Sequence, residues 1–541
     1  MLANLPILSL ITFSPLLGVL VLLFIPNGRM RAIKIAAILT TLIPLILSAI
    51  LYVQFDDRAG TPQYAEQANW ITVPLAKEAD LTQVTRYFFQ FNYQVAVDGL
   101  SLPLVFLTAL VSTMAALAAV HIKKRWKTFY ILFLLLEVGM FGVFTAQDLF
   151  LFFVYFEITL IPTFFLIGIW GLVNRERAAN MFLIYNGVGS AIMLIAFLIL
   201  VNTAGFVVDQ SKAGDVSLYY SGSLQVITDN LLHNPESLVN QALENNPFLL
   251  TEGAKWTLFL MLLVAFGIKL PIFPFHTWML RVHKEAPPSV VMIHSGILLK
   301  MGAYGLLRFG VLLFPEQAKA WAGILALLGV INILYGAILA FKQNEFRLVL
   351  AYSSISHMGI VLLGIAALNE IGLQGAVFQL VSHGLISALM FLIVGSIYER
   401  TSTTELDQLG GLAKSLPFTG GILMLAGMAS LGLPLLSGFI SEYLAFLGLY
   451  SSMPAMTIVG ACGIVFTAVY VLRGILRITY GRVSERFETL KDARLIETIP
   501  MIMLTAFIVL LGIYPSVLSH PLNETVSGFT EILRSTAKIG G

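Results

Sequence analysis

The stretch GIKLPIFPFHTW, residues 267–278, decides the fold because it places a charge beside two helix breakers in an apolar segment. Lys269 follows an apolar run that starts at Trp256, and Pro271 and Pro274 come just after it. Each proline removes a backbone donor and clashes with the preceding turn, which interrupts a helix. At membrane depth, irregular backbone survives only where protein or a water-filled cavity covers it. The stretch therefore predicts a broken membrane helix with a lysine at the break.

The composition of the whole chain predicts an α-helical polytopic membrane protein. The 541 residues are 58% hydrophobic and 11% charged, with a mean hydropathy of +0.87. A soluble protein of this length could not cover its surface with so little charge. The apolar runs are long and continuous, whereas a β-barrel shows short alternating segments. The net charge of +2 implies no nucleic-acid partner.

The cysteine content bears on redox chemistry. Cys462 is the single cysteine of the sequence and lies within an apolar run. One cysteine excludes an internal disulfide framework and a cysteine-ligated iron–sulfur cluster. We therefore expect no redox centre, cofactor or metal in this chain.

We predict fourteen membrane spans, since a span needs about 20 apolar residues. The N-terminal segment lacks a basic region and an A-x-A cleavage site, so we expect it to remain as the first span. Span 12 is too long for one straight helix and contains SLGLPLLSG, so a break is predicted there too. The predicted spans are 4–25, 32–53, 99–121, 128–146, 149–171, 179–203, 256–276, 287–312, 320–341, 347–368, 372–397, 417–449, 456–480 and 498–518.

The distribution of lysine and arginine predicts the orientation of the spans. Of 32 such residues, 20 lie in the turns after odd-numbered spans, as in HIKKRWK (121–127), and eight lie on the opposite side. The other four lie within spans: Lys269, Lys300, Arg308 and Arg473. The odd-numbered turns are therefore predicted to be cytoplasmic. Both termini and the two long loops, 54–98 and 204–255, are predicted to face outward, the second with a short surface helix.

Two interrupted spans predict an internal repeat. Gly432 and Pro434 interrupt span 12 as Pro271 and Pro274 interrupt span 7, and a charged residue lies near each break. Paired broken helices in corresponding positions are typical of inverted repeats. Spans 4–8 and 9–13 form two five-span units, and an odd number of spans inverts the second unit. The predicted units are residues 1–127 (spans 1–3), 128–312 (first repeat), 313–480 (second repeat) and 481–541 (span 14 and the C-terminus).

Buried charges are the candidate functional residues. A charge in the bilayer core costs about 2.5–3.5 kcal/mol on insertion scales, so chains keep charges that face a partner or water. Glu157, Lys269, Lys300 and Glu442 all fall inside spans. Structural ion pairs would explain one such residue, but two acids and two lysines at depth favour a proton or ion path, because burial brings both residue types toward neutrality. Glu137 in span 4 is a gate or simply a helix tie.

Four histidines form a second set of candidates. His276, His294, His357 and His383 fall within spans or at their ends. Histidine relays protons because it titrates near neutral pH. A histidine that only links two helices by a hydrogen bond is the simpler interpretation for each residue alone. His357 and His383 gain weight because they lie in chain order between the lysines and Glu442.

These segments together resemble the antiporter-like membrane subunits of respiratory complex I, over roughly residues 90–515. The matching segments are FEITLIPTFFLIGIWG, KLPIFPFHTW, GILLKMGAYGLLRF, LAYSSISHMG and LPLLSGFISEYLAF. The resemblance implies fourteen helices, two inverted five-helix repeats and a proton half-channel in each repeat.

The resemblance also implies roles for single residues. Glu157 matches the family's glutamate that pairs with the lysine of the broken helix, here Lys269, and Lys300 matches the central lysine. Glu442 matches the terminal residue of the second half-channel. The connecting histidines of the family match His357 and His383, and His276 matches the histidine after the broken helix.

Glu442 also distinguishes among types within the family. Chains of the L and N types usually carry lysine there, so glutamate favours the M type (mitochondrial subunit 4 type). This sequence departs from the family elsewhere, since Arg281 stands where relatives usually have an acid and His294 stands at an often apolar position. We therefore treat His294 as a candidate gate, and we expect cytoplasmic access to the first half-channel to differ.

The resemblance implies a proton-translocating subunit of a complex I-type NADH-quinone oxidoreductase, and hence an enzyme subunit. Its partners would be chains of the L and N types and the lipid bilayer of a bacterial cell membrane. Quinone, NADH or another donor, FMN and iron–sulfur clusters would belong to other subunits. One alternative is a subunit of a cation/proton antiporter or membrane-bound hydrogenase. Another is an unrelated small-solute carrier, which the spacing of charges over separate helices fits less well.

Overall fold

The computed structural model describes residues 5–75, 86–212, 215–234, 236–242 and 246–539, and most of them are helical. Within this part of the chain, twelve helices are long and apolar enough to cross a membrane. The helices are α1 (Ile7–Phe24), α2 (Met30–Gln54), α3 (Ser101–Ala118), α4 (Trp126–Thr145), α5 (Leu149–Trp170), α6 (Arg175–Ala204), α7 (Leu224–Thr228), α8 (Glu252–Lys269), α9 (Thr277–Glu285), α10 (Pro288–Ile293), α11 (Leu299–Gly305), α12 (Pro315–Ala320), α13 (Ala322–Lys342), α14 (Phe346–Ala366), α15 (Glu370–Thr401), α16 (Pro417–Ser430), α17 (Ser437–Tyr450), α18 (Pro454–Thr479), α19 (Leu495–Ile513) and α20 (Ser516–Ile539).

A helix lies at each of the fourteen predicted spans, but the count of fourteen stays a prediction. The α8 helix carries three charged residues over its 18 residues, and α16 is only 14 residues long. Both helices belong to the interrupted spans, and they are therefore not counted by a criterion that requires a long, apolar, weakly charged helix. By contrast, α10 and α11 form one span, Pro288–Val311, whose helix is widened by a π-helical turn at His294–Leu298.

Both predicted breaks are confirmed, since α8 ends at Lys269 before α9 begins at Thr277, and α16 and α17 are separated in the same way. The buried side chain of Asn332 on α13 forms hydrogen bonds with the backbone groups that the first break leaves outside a helix. Its side-chain oxygen accepts from the amide of Phe273 at 2.8 Å, and its nitrogen donates to the carbonyl of Pro271 at 3.3 Å. This pairing explains how irregular backbone is tolerated inside the helix bundle.

The prediction of an all-helical chain missed a four-stranded sheet in the two long loops. Its strands are β1 (Gln63–Pro74), β2 (Arg86–Val97), β3 (Phe206–Lys212) and β4 (Asp215–Ser221), in the order β1-β2-β4-β3. The central pair, β2 and β4, is parallel. A parallel pair needs a long connection, and here four membrane helices separate the two strands. Lys77, one of the cations counted for the predicted outer side, lies outside the described residues.

The C-terminal segment also forms a helix that was not predicted. The α20 helix lies against α15 and α12. Its Thr525 hydroxyl accepts from the amide of Gly99 at 3.0 Å. Close by, a buried ion pair joins Arg308 to Asp98 at 2.5 Å, and Phe529 of α20 covers the guanidinium at 5.6 Å. The helix therefore seals a charged contact between α3 and the end of the α10–α11 span.

Asp148 caps the start of α5 and gives a test of this part of the fold. One carboxylate oxygen accepts from the amides of Phe150 at 2.9 Å and Leu151 at 3.1 Å. Burial, the largest influence on this carboxyl, raises the pKa of Asp148 to about 6. An acid whose pKa is higher in the folded state binds more protons there than in the unfolded state. The folded state therefore becomes less stable relative to the unfolded state as the pH rises from about 4 to about 6.

We expect Asp148→Asn to remove this pH dependence, because the amide keeps the capping oxygen and carries no charge. The purified protein complex in detergent should show a smaller change in Tm between pH 4.5 and pH 7 than the wild type. Asp229→Asn, at an exposed position on the surface, is the control. An unchanged Tm profile in Asp148→Asn would contradict the assignment.

Candidate proton-translocation site

Lys269 is the last residue of α8, where the negative end of the helix dipole favours a cation. Its ammonium lies 4.9 Å from the ring centroid of Phe156 and 5.4 Å from that of Phe182. Rings at such distances attract cations. Within the described residues the ammonium has no hydrogen-bond partner, although it is 1% exposed. Lys269 is therefore a buried cation held by aromatic rings.

Glu157, the predicted partner of Lys269, follows Phe156 on α5. Its charge acts on Lys269, but no hydrogen bond joins the two described side chains. One of its carboxylate oxygens is buried without a hydrogen-bond partner in the described part of the chain. The direct pairing of Glu157 with Lys269 stays a prediction, while their proximity leaves the lysine sensitive to the charge of the acid.

His276 lies on the other side of the break, at the start of α9. Its Nε2 is 3.1 Å from the hydroxyl of Tyr335 on α13. The ring of Phe273 stacks on the imidazole at 5.8 Å. The residue is held by α13, and the described contacts do not join it to Lys300 or to the later histidines.

Two histidines meet between the lysines. Nε2 of His283 is 2.9 Å from Nδ1 of His294, and both side chains are fully buried. The charges of Lys269 and Lys300 both act on His294. His283 was not among the predicted site residues. It follows His276 by seven residues, two turns along α9, and that spacing was the available signal.

Lys300 connects the two halves of the molecule. Its ammonium donates to the carbonyl of Ser295 and lies 2.7 Å from Nδ1 of His383 on α15. The carbonyl belongs to the π-helical turn at 294–298, a widened geometry that is frequent at functional sites. The turn packs against α15, so this local widening lets the lysine reach the next helix.

A second run of polar side chains continues from His383 to Glu442. The rings of His383 and His357 are 5.3 Å apart, and Nδ1 of His357 is 3.5 Å from a carboxylate oxygen of Glu442. Gln379 donates to the same nitrogen at 3.0 Å, and Ser430 lies 3.3 Å from Nε2. The three helices α14, α15 and α17 pack against one another and fix these positions.

Glu442 ends this run beside the second break. Gly432 has a φ of +72°, and a Cβ there would lie 2.8 Å from the second oxygen of Glu442. The left-handed backbone and the close approach both require glycine. Glu442 also lines an open cavity of about 410 Å³ with Phe439 and Tyr443. The acid thus contacts His357 on one side and open space on the other.

Glu137 stands apart from this line. It is fully buried on α4, and within the described residues neither carboxylate oxygen has a hydrogen-bond partner. It therefore forms no hydrogen-bonded tie between helices in the described structure. Its role as a gate stays a prediction.

Two broken helices with a lysine and a glutamate at their breaks, and buried lysine and histidine side chains on the helices between them, are typical of an antiporter-like membrane subunit. Comparison with known proteins agrees. The family model described as "NADH:quinone oxidoreductase/Mrp antiporter, TM" matches residues 146–467.

The similar proteins include chain 4 and subunit M of quinone oxidoreductases. The chain is 37% identical over 532 residues to "NAD(P)H-quinone oxidoreductase chain 4 2" of Thermosynechococcus vestitus, covering 96% of this chain and 91% of that protein. It is 34% identical to "NADH-quinone oxidoreductase subunit M" of Rhodobacter capsulatus, covering 96% of both. A chain of respiratory complex I from Thermus thermophilus superposes with a TM-score of 0.79 at 27% identity, covering 97% of this chain and 99% of that one.

The chain belongs to the antiporter-like membrane subunits of complex I-type NADH-quinone oxidoreductases, and within them to the chain 4 or subunit M type. It is a multi-pass membrane subunit of a multi-subunit enzyme. The predicted family and type are confirmed.

Proposed function

We propose that this chain carries protons through the membrane arm of its complex, along a line from Lys269 through the His283–His294 pair to Lys300, His383, His357 and Glu442. The observation that carries the proposal is the close succession of titratable side chains from Lys300 to Glu442. Its steps are the 2.7 Å bond to His383, the 5.3 Å approach of the two rings and the 3.5 Å contact with the acid. Each member can hold or release a proton, so the line fits proton transfer better than a structural ion pair.

The first half of the line supplies a means of control. Lys269 has ring faces around its ammonium and a nearby acid, Glu157, in place of a close ion pair. A change in the charge or position of Glu157 therefore alters the free energy of keeping the proton on Lys269. Quinone chemistry in other subunits would act through such charge changes. A proton leaving Lys269 then reaches Lys300 across the His283–His294 pair.

The proposal includes the setting of the chain. The first repeat, residues 128–312, holds Glu157 and both lysines, while the second, 313–480, holds His357, His383 and Glu442. The basic turns face the cytoplasm of a bacterial cell, and both termini face outward. Chains of the L and N types are the proposed neighbours. NADH or another donor, FMN, iron–sulfur clusters and quinone belong to other subunits of the complex.

The proposal is tested by Glu157→Ala, Lys269→Ala and Glu442→Ala in the assembled complex, reconstituted in vesicles. We expect each variant to lower proton pumping and coupled quinone reduction by about 100-fold, since loss of a proton-transfer group typically costs at least that factor. Lys255→Ala on the same helix as Lys269, at an exposed i,i+3 ion pair, should behave as the wild type. Normal pumping in all three variants would refute the line.

A further inference from the structure

A separate cluster of titratable groups lies where α3, α15 and α19 meet, on the face that the basic residues predict to be cytoplasmic. His121, just after α3, lies between two acids. Its Nδ1 is 3.0 Å from a carboxylate oxygen of Glu399, and its Nε2 is 3.5 Å from one of Glu497. An imidazole with a carboxylate at each nitrogen can accept a proton on one side and release it on the other.

Exposure falls along the cluster in a consistent direction. The side chain of Glu399 is 31% exposed, that of His121 is 18% exposed and that of Glu497 is 2% exposed. The three residues line a half-open cavity of about 200 Å³, which has room for several water molecules. The cluster therefore leads from solvent toward the interior.

The inner wall of this cavity lies close to the histidine pair of the proposed line. Ser289, the second residue of α10, lines the cavity, and His294 follows it by five residues, which is about 7.5 Å of helix rise. On α15 the cavity is lined by Leu392. The preceding residue, Phe391, places its ring 5.1 Å from that of His283. The cavity and the histidine pair are therefore neighbours along both α10 and α15.

Fixed cations make the cavity unsuitable for storing metal cations. Arg347 lines it, and its second guanidinium nitrogen is buried without a hydrogen-bond partner in the described residues. Arg400 binds Glu497 at 2.7 Å. Arg494 and Lys34 also act on His121, and Lys123 acts on Glu399. A sodium or divalent ion would need a coordination sphere among these fixed cations, whereas a proton bonds directly to a carboxylate oxygen or to the imidazole.

We infer that His121, Glu399 and Glu497 form the proton-uptake site of this chain and deliver protons to the His283–His294 pair between the two lysines. This inference rests on the proposed function, since it supplies protons to the same line. Protons would enter from the cytoplasm through the cavity bounded by α3, α10, α15 and α19. This cavity would give protons a cytoplasmic route that does not depend on the position of Arg281, where relatives usually have an acid.

The test measures coupled quinone reduction and proton pumping by the assembled complex carrying His121→Phe, from pH 6 to pH 9. A collecting site limits turnover only when protons are scarce. At pH 6 we expect activity within about twofold of the wild type, and at pH 9 a loss of at least about tenfold. Imidazole added on the uptake side should restore activity at high pH. His233→Phe, at an exposed histidine 2.8 Å from Asp229, is the matched control and should match the wild type throughout.

Glu399→Gln, at the most exposed member of the cluster, provides a second variant should His121→Phe fail to assemble. An equal loss at every pH without rescue by imidazole, or activity like that of the wild type at pH 9, would overturn the inference. Tightly bound zinc in the wild-type complex, with activity that a chelator changes, would overturn it in favour of a metal site. If the cavity variants fail this test while Lys269→Ala, Glu157→Ala and Glu442→Ala stop pumping, only the uptake site is wrong. Normal pumping in those three variants refutes the proposed function itself.

Discussion

Lys300→Ala is expected to abolish proton pumping and to slow coupled quinone reduction by about 100-fold, the lower end of what loss of a proton-transfer group costs. Lys300 donates to the carbonyl of Ser295, the residue after His294, and lies against His383 on α15. Its removal takes away the titratable group that contacts the second part of the line. The measurement is proton uptake and quinone reduction by the reconstituted complex, normalised to assembled protein.

Lys300→Arg separates the two ways in which this lysine could act. Arginine keeps the positive charge but does not give up its proton in proteins. If Lys300 exchanges a proton with His383, the arginine variant should assemble and be as inactive as Lys300→Ala. Pumping at the wild-type level in Lys300→Arg would show that only a fixed charge is needed and would remove Lys300 from the proton path.

Sequence reasoning recovered the features that depend on a single segment. The break at Pro271 and Pro274 can be predicted from the local sequence, because proline in a helix interior kinks or breaks the helix. Lys269 and Glu442 are recognised from the cost of burying charge. The widened turn before Lys300 leaves no such signal, since it depends on how α10 packs against α15.

Features that join distant segments were missed for the same reason. Helical spacing places His283 on the same face of α9 as His276, but its contact with His294 depends on the direction in which α9 leaves the broken helix. The β2–β4 pairing joins loops that four membrane helices separate, and the ion pair of Arg308 with Asp98 joins residues 210 positions apart. Each residue was visible in the sequence, but its partner was set by the tertiary packing.

Breaking the ion pair between Asp98 and Arg308 by a single substitution should strongly destabilise the protein. Both side chains are almost fully buried, at 5% and 6% exposed, and their charged atoms lie 2.5 Å apart. Removing one partner of a buried pair leaves an uncompensated charge and costs about 3–5 kcal/mol. Arg308→Met is therefore expected to lower the free energy of unfolding by that amount.

The double variant Asp98→Asn/Arg308→Met distinguishes the ion pair from simple loss of packing. It removes the stranded carboxylate together with the guanidinium, so it should be more stable than Arg308→Met alone, a coupling that a double-mutant cycle measures. The matched control is Arg477→Met, at an exposed ion pair with Asp407 of 2.7 Å, where about 1 kcal/mol or less is expected. Thermal unfolding of the purified complex in detergent gives the comparison. A double variant as unstable as the sum of its single variants would show that the two charges do not stabilise each other.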